Sequence, residues 1–202
     1  MLKQTIELVK EFEGLYLNAY KCPAGVWTIG YGHTNGVKEG QKIDTNKANT
    51  YLKSDLQECE TQVKKYGNNA LLSKTLDNPY FLGALTSFCF NCGVGNLQKL
   101  IKNRNSVKIM ENLAKYNKGN GKVLKGLTRR RTAEINLAST FYKNCSIHSY
   151  DNFMTEYIQS VLEITVDGIY GKNTEKAVRE YQTKKNLKVD GIVGKNTWAS
   201  LL

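Results

Sequence analysis

Apolar positions along the chain change period several times. From Thr5 to Phe12 they recur at helical spacing, with Ile6, Val9 and Phe12 near one face, and Glu13-Gly14 closes the pattern. From Leu17 to His33 the period shortens. LNAYKC, a turn at Pro23–Gly25 and VWTIGYGH predict a β-hairpin. Helical spacing returns in four runs, over residues 44–66, 78–91, 106–117 and 128–142. One helix, a small β region and a helical lobe predict an α+β unit, with a substrate cleft between the β region and the lobe.

The last fifty residues follow a different rule. IQSVLEITVDGIYGKNT (Ile158–Thr174) matches YQTKKNLKVDGIVGKNT (Tyr181–Thr197) at a constant offset of 23. Each copy reads as a helix end, an Asp-Gly turn, a short apolar stretch, a glycine turn and a new helix. Asn173-Thr174 and Asn196-Thr197 are the expected helix caps. Such repeats bury an apolar face only when stacked. With SIHSYDN as a polar linker, the expected division is a first domain over 1–145, a linker over 146–152 and a small second domain over 153–202.

Charge separates the two parts further. Residues 151–202 hold seven basic and seven acidic side chains, so the whole formal charge of +11 lies in residues 1–150. A basic body attracts polyanions, whether nucleic acid, anionic lipid or an acidic bacterial wall. No nucleic-acid motif is present, so nucleic acid is not an expected partner. The densest basic run, KVLKGLTRRR, reads equally as a solvated helix face or as partners for buried carboxylates. No apolar run reaches the length of a membrane span, and MLKQTIELVK has no apolar core of a secretory signal. Residence in a cytoplasm, with no signal peptide and reduced thiols, is the expectation for the five cysteines. Cys89 and Cys92 form a C-x-x-C, but no second ligand pair stands at metal spacing. Both are expected to pack in FLGALTSFCFNCGVG, with neither metal nor cofactor.

The candidate chemistry lies in EGLYLNAYKCPAGVWTIGYGHT. In a hairpin turning at Pro23–Gly25, Tyr20 and Cys22 share a face with Val26 and Thr28. A thiol and a hydroxyl then project together, and Glu13 approaches from the preceding helix end. An acid opposite a water-holding or nucleophilic group is what acetal cleavage requires. Cys22 is unusual in the second role. An ordinary thiol, with a pKa of about 8.5, is mostly neutral at pH 7 unless its surroundings lower that value. Base, nucleophile and water-aligning group all remain open for it.

The segment resembles the active-site segment of bacteriophage lysozymes, glycoside hydrolase family 24, with Glu13, Cys22 and Thr28 at the motif positions and TIGYGH following. SFCFNCGVGNL (Ser87–Leu97) resembles the family's SFxFNxG segment, and GKVLKGLTRRRTAEINLA (Gly121–Ala138) its GLxxRRxxE segment. Just after FNxG the family's usual Ser-Thr-Leu run is missing. The resemblance covers about residues 2–143 and implies a lysozyme-like fold that hydrolyses the β-1,4 bond between N-acetylmuramic acid and N-acetylglucosamine in peptidoglycan. It implies Glu13 as general acid, Cys22 in the Asp/Cys position, Thr28 holding water, Arg130 paired with Glu13, and His33 in a structural role. The tail resembles type 1 peptidoglycan-binding domains, small three-helix folds that dock enzymes on the wall. Together these imply a monomeric endolysin kept in the host cytoplasm, with a holin-type partner for release, no stable membrane insertion, and host lysis as the outcome. Two other readings remain: a lytic transglycosylase on the same polymer, or a non-enzymatic wall binder.

Overall fold

A computed structural model of the chain describes residues 2–69, 72, 75–104, 106–139 and 152–201. The expected linker lies outside the described residues except for Asn152, as do Cys145, His148 and the end of the run over 128–142.

Helix α1 (Lys3–Glu13) stops where Gly14 takes φ 71°, and the Gly14 amide donates to the Lys10 carbonyl at 3.2 Å. Glycine enters that left-handed conformation without a Cβ penalty, which makes Glu13 the last helical residue. Strands β1 (Tyr16–Lys21) and β2 (Trp27–Gly30) pair antiparallel, Tyr20 opposite Thr28 and Lys21 opposite Trp27, with an irregularity between Tyr16 and Tyr20. The expected second strand is shortened. It ends at Gly30, and the chain turns so that Ile29 and His33 exchange backbone hydrogen bonds of 2.9 Å. The free edge of β1 is also occupied: Ala19 donates to Gln41 O at 2.9 Å and Ile43 to Leu17 O at 3.0 Å.

The helical lobe follows. Asp44 caps α2 (Thr45–Gly67) by accepting from the Lys47 amide at 2.7 Å. After a 3₁₀ turn (Thr75–Asp77), Asn78 caps α3 (Pro79–Ile101) through the Tyr80 and Phe81 amides. Pro79 occupies the first turn, where its missing N–H has no helical partner to lose. α3 is kinked at Gly93, with φ 78° and ψ 164°, so its direction changes just after Asn91 and Cys92. α4 (Ser106–Leu113) is shorter than the spacing over 106–117 predicts. β3 (Lys118–Gly119) and β4 (Lys122–Val123) follow it, joined by Asn120-Gly121 with both φ positive. That dipeptide suits a tight hairpin turn, which lies in the stretch between the two predicted helical runs. α5 (Lys125–Ser139) completes the lobe.

One small apolar cluster, Val9, Tyr31, Ala48, Leu52 and Leu56, ties α1 and the end of the β region to α2. A larger one is centred on α3. The face of α1 differs from expectation: Thr5 and Val9 are its buried residues, and Phe12 is only half-buried. Thr5 reaches the interior because Gly83 of α3 lies opposite, where an added Cβ would stand 2.2 Å from Thr5 Oγ1. A glycine here sets how closely the helix bearing Glu13 approaches α3.

The tail forms α6 (Asn152–Val161), α7 (Lys172–Lys184) and α8 (Lys195–Leu201). α6 lies against α4, and the larger apolar cluster continues into the tail through Met154, Ile158, Tyr170 and Val178. Each repeat is closed by one buried glutamine. Gln159 Nε2 donates to Asp167 Oδ1, Ile169 O and Thr174 Oγ1, while its Oε1 accepts from the Asp167 and Gly168 amides. Gln182 repeats this with Asp190, Ile192, Thr197 and the Asp190 and Gly191 amides. The expected caps are therefore corrected. α7 begins at Lys172 with Gly171 before it, and Thr174 lies within the first turn, its hydroxyl serving the glutamine and the Ile169 carbonyl. Lys195 likewise opens α8, so Asn196 and Thr197 are helical.

Gly83→Ala is expected to lower stability by about 1–3 kcal/mol through overpacking. Adding Thr5→Ala removes the opposing hydroxyl and should restore part of the loss, as read by denaturant unfolding of the full chain.

Candidate active site

The end of α1 brings Glu13 against α5. Arg130 Nη1 donates to Glu13 Oε1; Arg130 is 3% exposed and the Glu13 side chain 23%. The C-terminal end of a helix disfavours negative charge, and the guanidinium offsets this. Phe12 packs beside the pair, its ring centroid 5.3 Å from Arg129 Cζ and 5.7 Å from Arg130 Cζ.

A cavity of about 340 Å³ opens beside Glu13. Gly32, His33, Thr34 and Asn35 line it from the turn after β2, Asp55, Glu58 and Cys59 from α2, and Phe90 and Asn91 from α3. It occupies the space between the β region and the helical lobe. Gly32 has φ 98°, and a Cβ there would stand 3.7 Å from Glu13 Oε2 and 3.8 Å from the Phe90 ring. His33 Nδ1 lies 2.8 Å from Asp55 Oδ2, and its ring stacks on Tyr51 with centroids 4.1 Å apart. That anchors the turn to α2 and places His33 in a polar pair within the wall.

Cys22 and Thr28 share the hairpin face that the register predicts, but neither lines this cavity. The Cys22 amide donates to Val26 O at 3.0 Å and the Thr28 hydroxyl to the same carbonyl at 3.1 Å. Hydrogen bonds from the Val26 and Ala24 backbone, with a smaller one from Thr28, hold the Cys22 thiol below the ordinary thiol range against a modest opposing burial. The shift comes from the turn's own hydrogen bonds rather than from a paired charge. Tyr20 stands near both Glu13 and Cys22: burial raises its phenol pKa first, then the charges of Tyr16, Glu13 and Cys22. The sequence places Tyr20 on the same hairpin face as Cys22 but gives no sign of its closeness to Glu13.

Sequence reasoning passed over the groups behind Glu13. Glu134 is fully buried, and its Oε1 lies 3.3 Å from Arg130 Nε, accepts from Ser87 Oγ at 2.8 Å and from Arg131 Nη2 at 3.0 Å. Its Oε2 is 2.9 Å from Arg131 Nε. Burial pushes this carboxyl up, opposed by Arg131 and then Arg130. Arg131 also donates to Asn91 Oδ1 at 2.8 Å and to Cys92 Sγ. Of the two readings of the basic run, partners for carboxylates holds for Arg130 and Arg131. The signal was the RRxxE spacing, which brings both arginines next to the glutamate on one helix. Cys89 is buried in the α3 core, as expected, while Cys92 is half-buried and binds arginine. Among the described residues no three His, Cys, Asp or Glu side chains converge as a metal site, and no helix is long and apolar enough to cross a membrane.

A carboxyl at the mouth of a cleft, backed by a buried cation and followed by a hairpin bearing a thiol, is the arrangement of a lysozyme-type glycosidase. Comparison with known proteins agrees. The phage lysozyme family model matches residues 10–134, and the model of a putative peptidoglycan-binding domain matches residues 155–201. The endolysin of Acyrthosiphon pisum secondary endosymbiont phage 1 is 36% identical over 63% of this chain and 89% of its own length. The Bacillus phage B103 endolysin is 37% identical over 67% of this chain, which spans only 52% of that relative. The muramidase domain of SpmX from Asticaccaulis excentricus superposes with a TM-score of 0.58 at 30% identity, covering 68% of this chain and 95% of that domain. The chain belongs to the phage lysozyme family, with a peptidoglycan-binding domain following the catalytic one. Its activity is that of a lysozyme acting on the bacterial wall.

The Cys22 thiol is shifted down and accessible, the Cys92 and Cys59 thiols are shifted up, and Cys89, lowered by its hydrogen bond with Cys59, is buried, so Cys22 should be alkylated first among the described cysteines. A lowered pKa exposes thiolate at lower pH. The iodoacetamide rate at Cys22, followed by mass spectrometry, should therefore reach its plateau at lower pH than free cysteine does.

Proposed function

We propose that the chain hydrolyses the β-1,4 bond between N-acetylmuramic acid and N-acetylglucosamine, with Glu13 as general acid and Cys22 and Thr28 managing the incoming water. The observation that carries this is the Glu13 carboxyl at the cavity mouth, backed by Arg130. Glu13 donates its proton to the departing glycosidic oxygen as the bond breaks, a step that contributes roughly 10²–10⁴-fold in rate. Positive charge develops on the sugar ring in the transition state. The Cys22 thiolate, favoured by the backbone of its turn, supplies negative charge toward that ring or takes a proton from the attacking water. Thr28 orients the solvent molecule beside the sulfur. Arg130 fixes the rotamer of Glu13, and His33 with Asp55 keeps the cleft wall in place.

The division into a catalytic domain over 1–145, a linker over 146–152 and a wall-docking domain over 153–202 belongs to the same proposal. In it the basic first part draws the protein toward the anionic wall, and the neutral tail adds a second attachment that raises local concentration. The protein acts as a monomer from the host cytoplasm, released by a holin-type partner.

Glu13→Gln should retain folding and wall binding but lower the release of reducing ends roughly 10²–10⁴-fold. Cys22→Ser should lose most activity, and Cys22→Asp, which restores an anion, should keep more. Product masses read the reaction type: hydrolysis leaves reducing sugars, whereas 1,6-anhydro ends would make the protein a transglycosylase. Wild-type clearing of purified walls by Glu13→Gln would end the assignment of the acid.

A further inference from the structure

Glu134 makes no contact with the cavity, yet it touches both arginines that reach the cavity wall. Through Arg130 it stands one side chain from Glu13. Through Arg131 it stands one side chain from Asn91, which lines the cavity from α3. Ser87, one helical turn before Asn91 on α3, donates to the same carboxylate at 2.8 Å. Glu134 and both arginines are at most 3% exposed, so these charges cannot be rebalanced by water.

The consequence for Asn91 is specific. A guanidinium only donates, so the carboxamide atom facing Arg131 is Oδ1. The Cys92 thiol lies on the same oxygen at 3.5 Å. With Oδ1 occupied, the amide left for other partners is Nδ2, a donor. We propose that Glu134 is a positioning residue that sets two parts of the site together: it aims Arg130 at the catalytic acid, and through Arg131 it turns Asn91 so that Nδ2 donates to an oxygen of the bound glycan. The glycan oxygen is of the N-acetyl carbonyl or ring-hydroxyl class. This inference rests on the reading of Glu13 as the acid.

The arrangement separates the two effects. The Arg130 branch acts on the chemical step, and the Arg131–Asn91 branch acts on binding. Glu134→Gln preserves shape and removes the charge that holds both arginines. It should lower kcat on soluble, uncrosslinked peptidoglycan strands by as much as about 10²-fold, the penalty of a misplaced catalytic group, and raise KM as well. Asn91→Ala, at an exposed position, should mainly raise KM, by about 3- to 10-fold, as loss of one hydrogen bond predicts. Ser87→Ala, which deletes one donor to Glu134 without adding volume, should move kcat and KM in the same directions by less.

Thermal melting identifies which variants are folded. A folded Glu134→Gln enzyme with wild-type kcat and KM overturns the proposal. Should that variant not fold, Asn91→Ala and Ser87→Ala decide it: wild-type KM in the first, or wild-type kcat and KM in the second, overturns it. Glu13→Gln measured alongside keeps the two readings distinct. If it is inactive while the other variants behave as wild type, only the present inference fails; if it is fully active, the assignment of the acid fails and this inference falls with it.

Discussion

A guanidinium held between two carboxylates ties the site together. Arg130 joins Glu13, at the end of the first helix, to Glu134, four residues further along its own helix. Arg130 is buried with Glu134, and removing one partner of such a buried pair costs on the order of 3–5 kcal/mol; Glu13, partly exposed at a helix C-terminus, is the second carboxylate that the same guanidinium compensates. The constraint reaches outward from there. α1 must end at Glu13, and Gly14 ends it; α1 must approach α3 closely, and Gly83 permits that.

The Glu13 side and the hairpin side of the candidate site are built by different means. On the acid side, charge is handled by buried ionic partners contributed by α5. On the hairpin side, backbone hydrogen bonds at a tight turn hold the Cys22 thiol below its ordinary range. A thiol is less acidic than an aspartic acid, about 8.5 against about 3.9, so the turn has to provide what an aspartate would have brought with it.

The tail uses an uncharged glutamine for an equivalent purpose. Gln159 and Gln182 each satisfy the turn amides with one end of the carboxamide, and an aspartate, a carbonyl and a threonine with the other. A residue able to donate and accept at once is what such a turn needs, and this explains why the glutamine recurs in both copies. The core it encloses runs on from the helical lobe, with α6 against α4.

Local chemistry was legible in the chain itself: the end of α1 at Glu13-Gly14, the hairpin and its shared face for Cys22 and Thr28, the helical lobe, and the repeated tail. Each depends on neighbours within a few residues, where backbone sterics and side-chain period act directly. An error at this level arose where a hydroxyl that could cap a helix met a glutamine brought from the preceding one, as at Thr174. The Glu13–Arg130 pair was implied by the family resemblance, but its extension through Glu134 and Arg131 to Asn91 was decided only by tertiary structure, although RRxxE hinted at the arginine–Glu134 part. The desolvation that makes those charges depend on one another exists only once α1, α3 and α5 have closed over them, and no period along the chain carries that information.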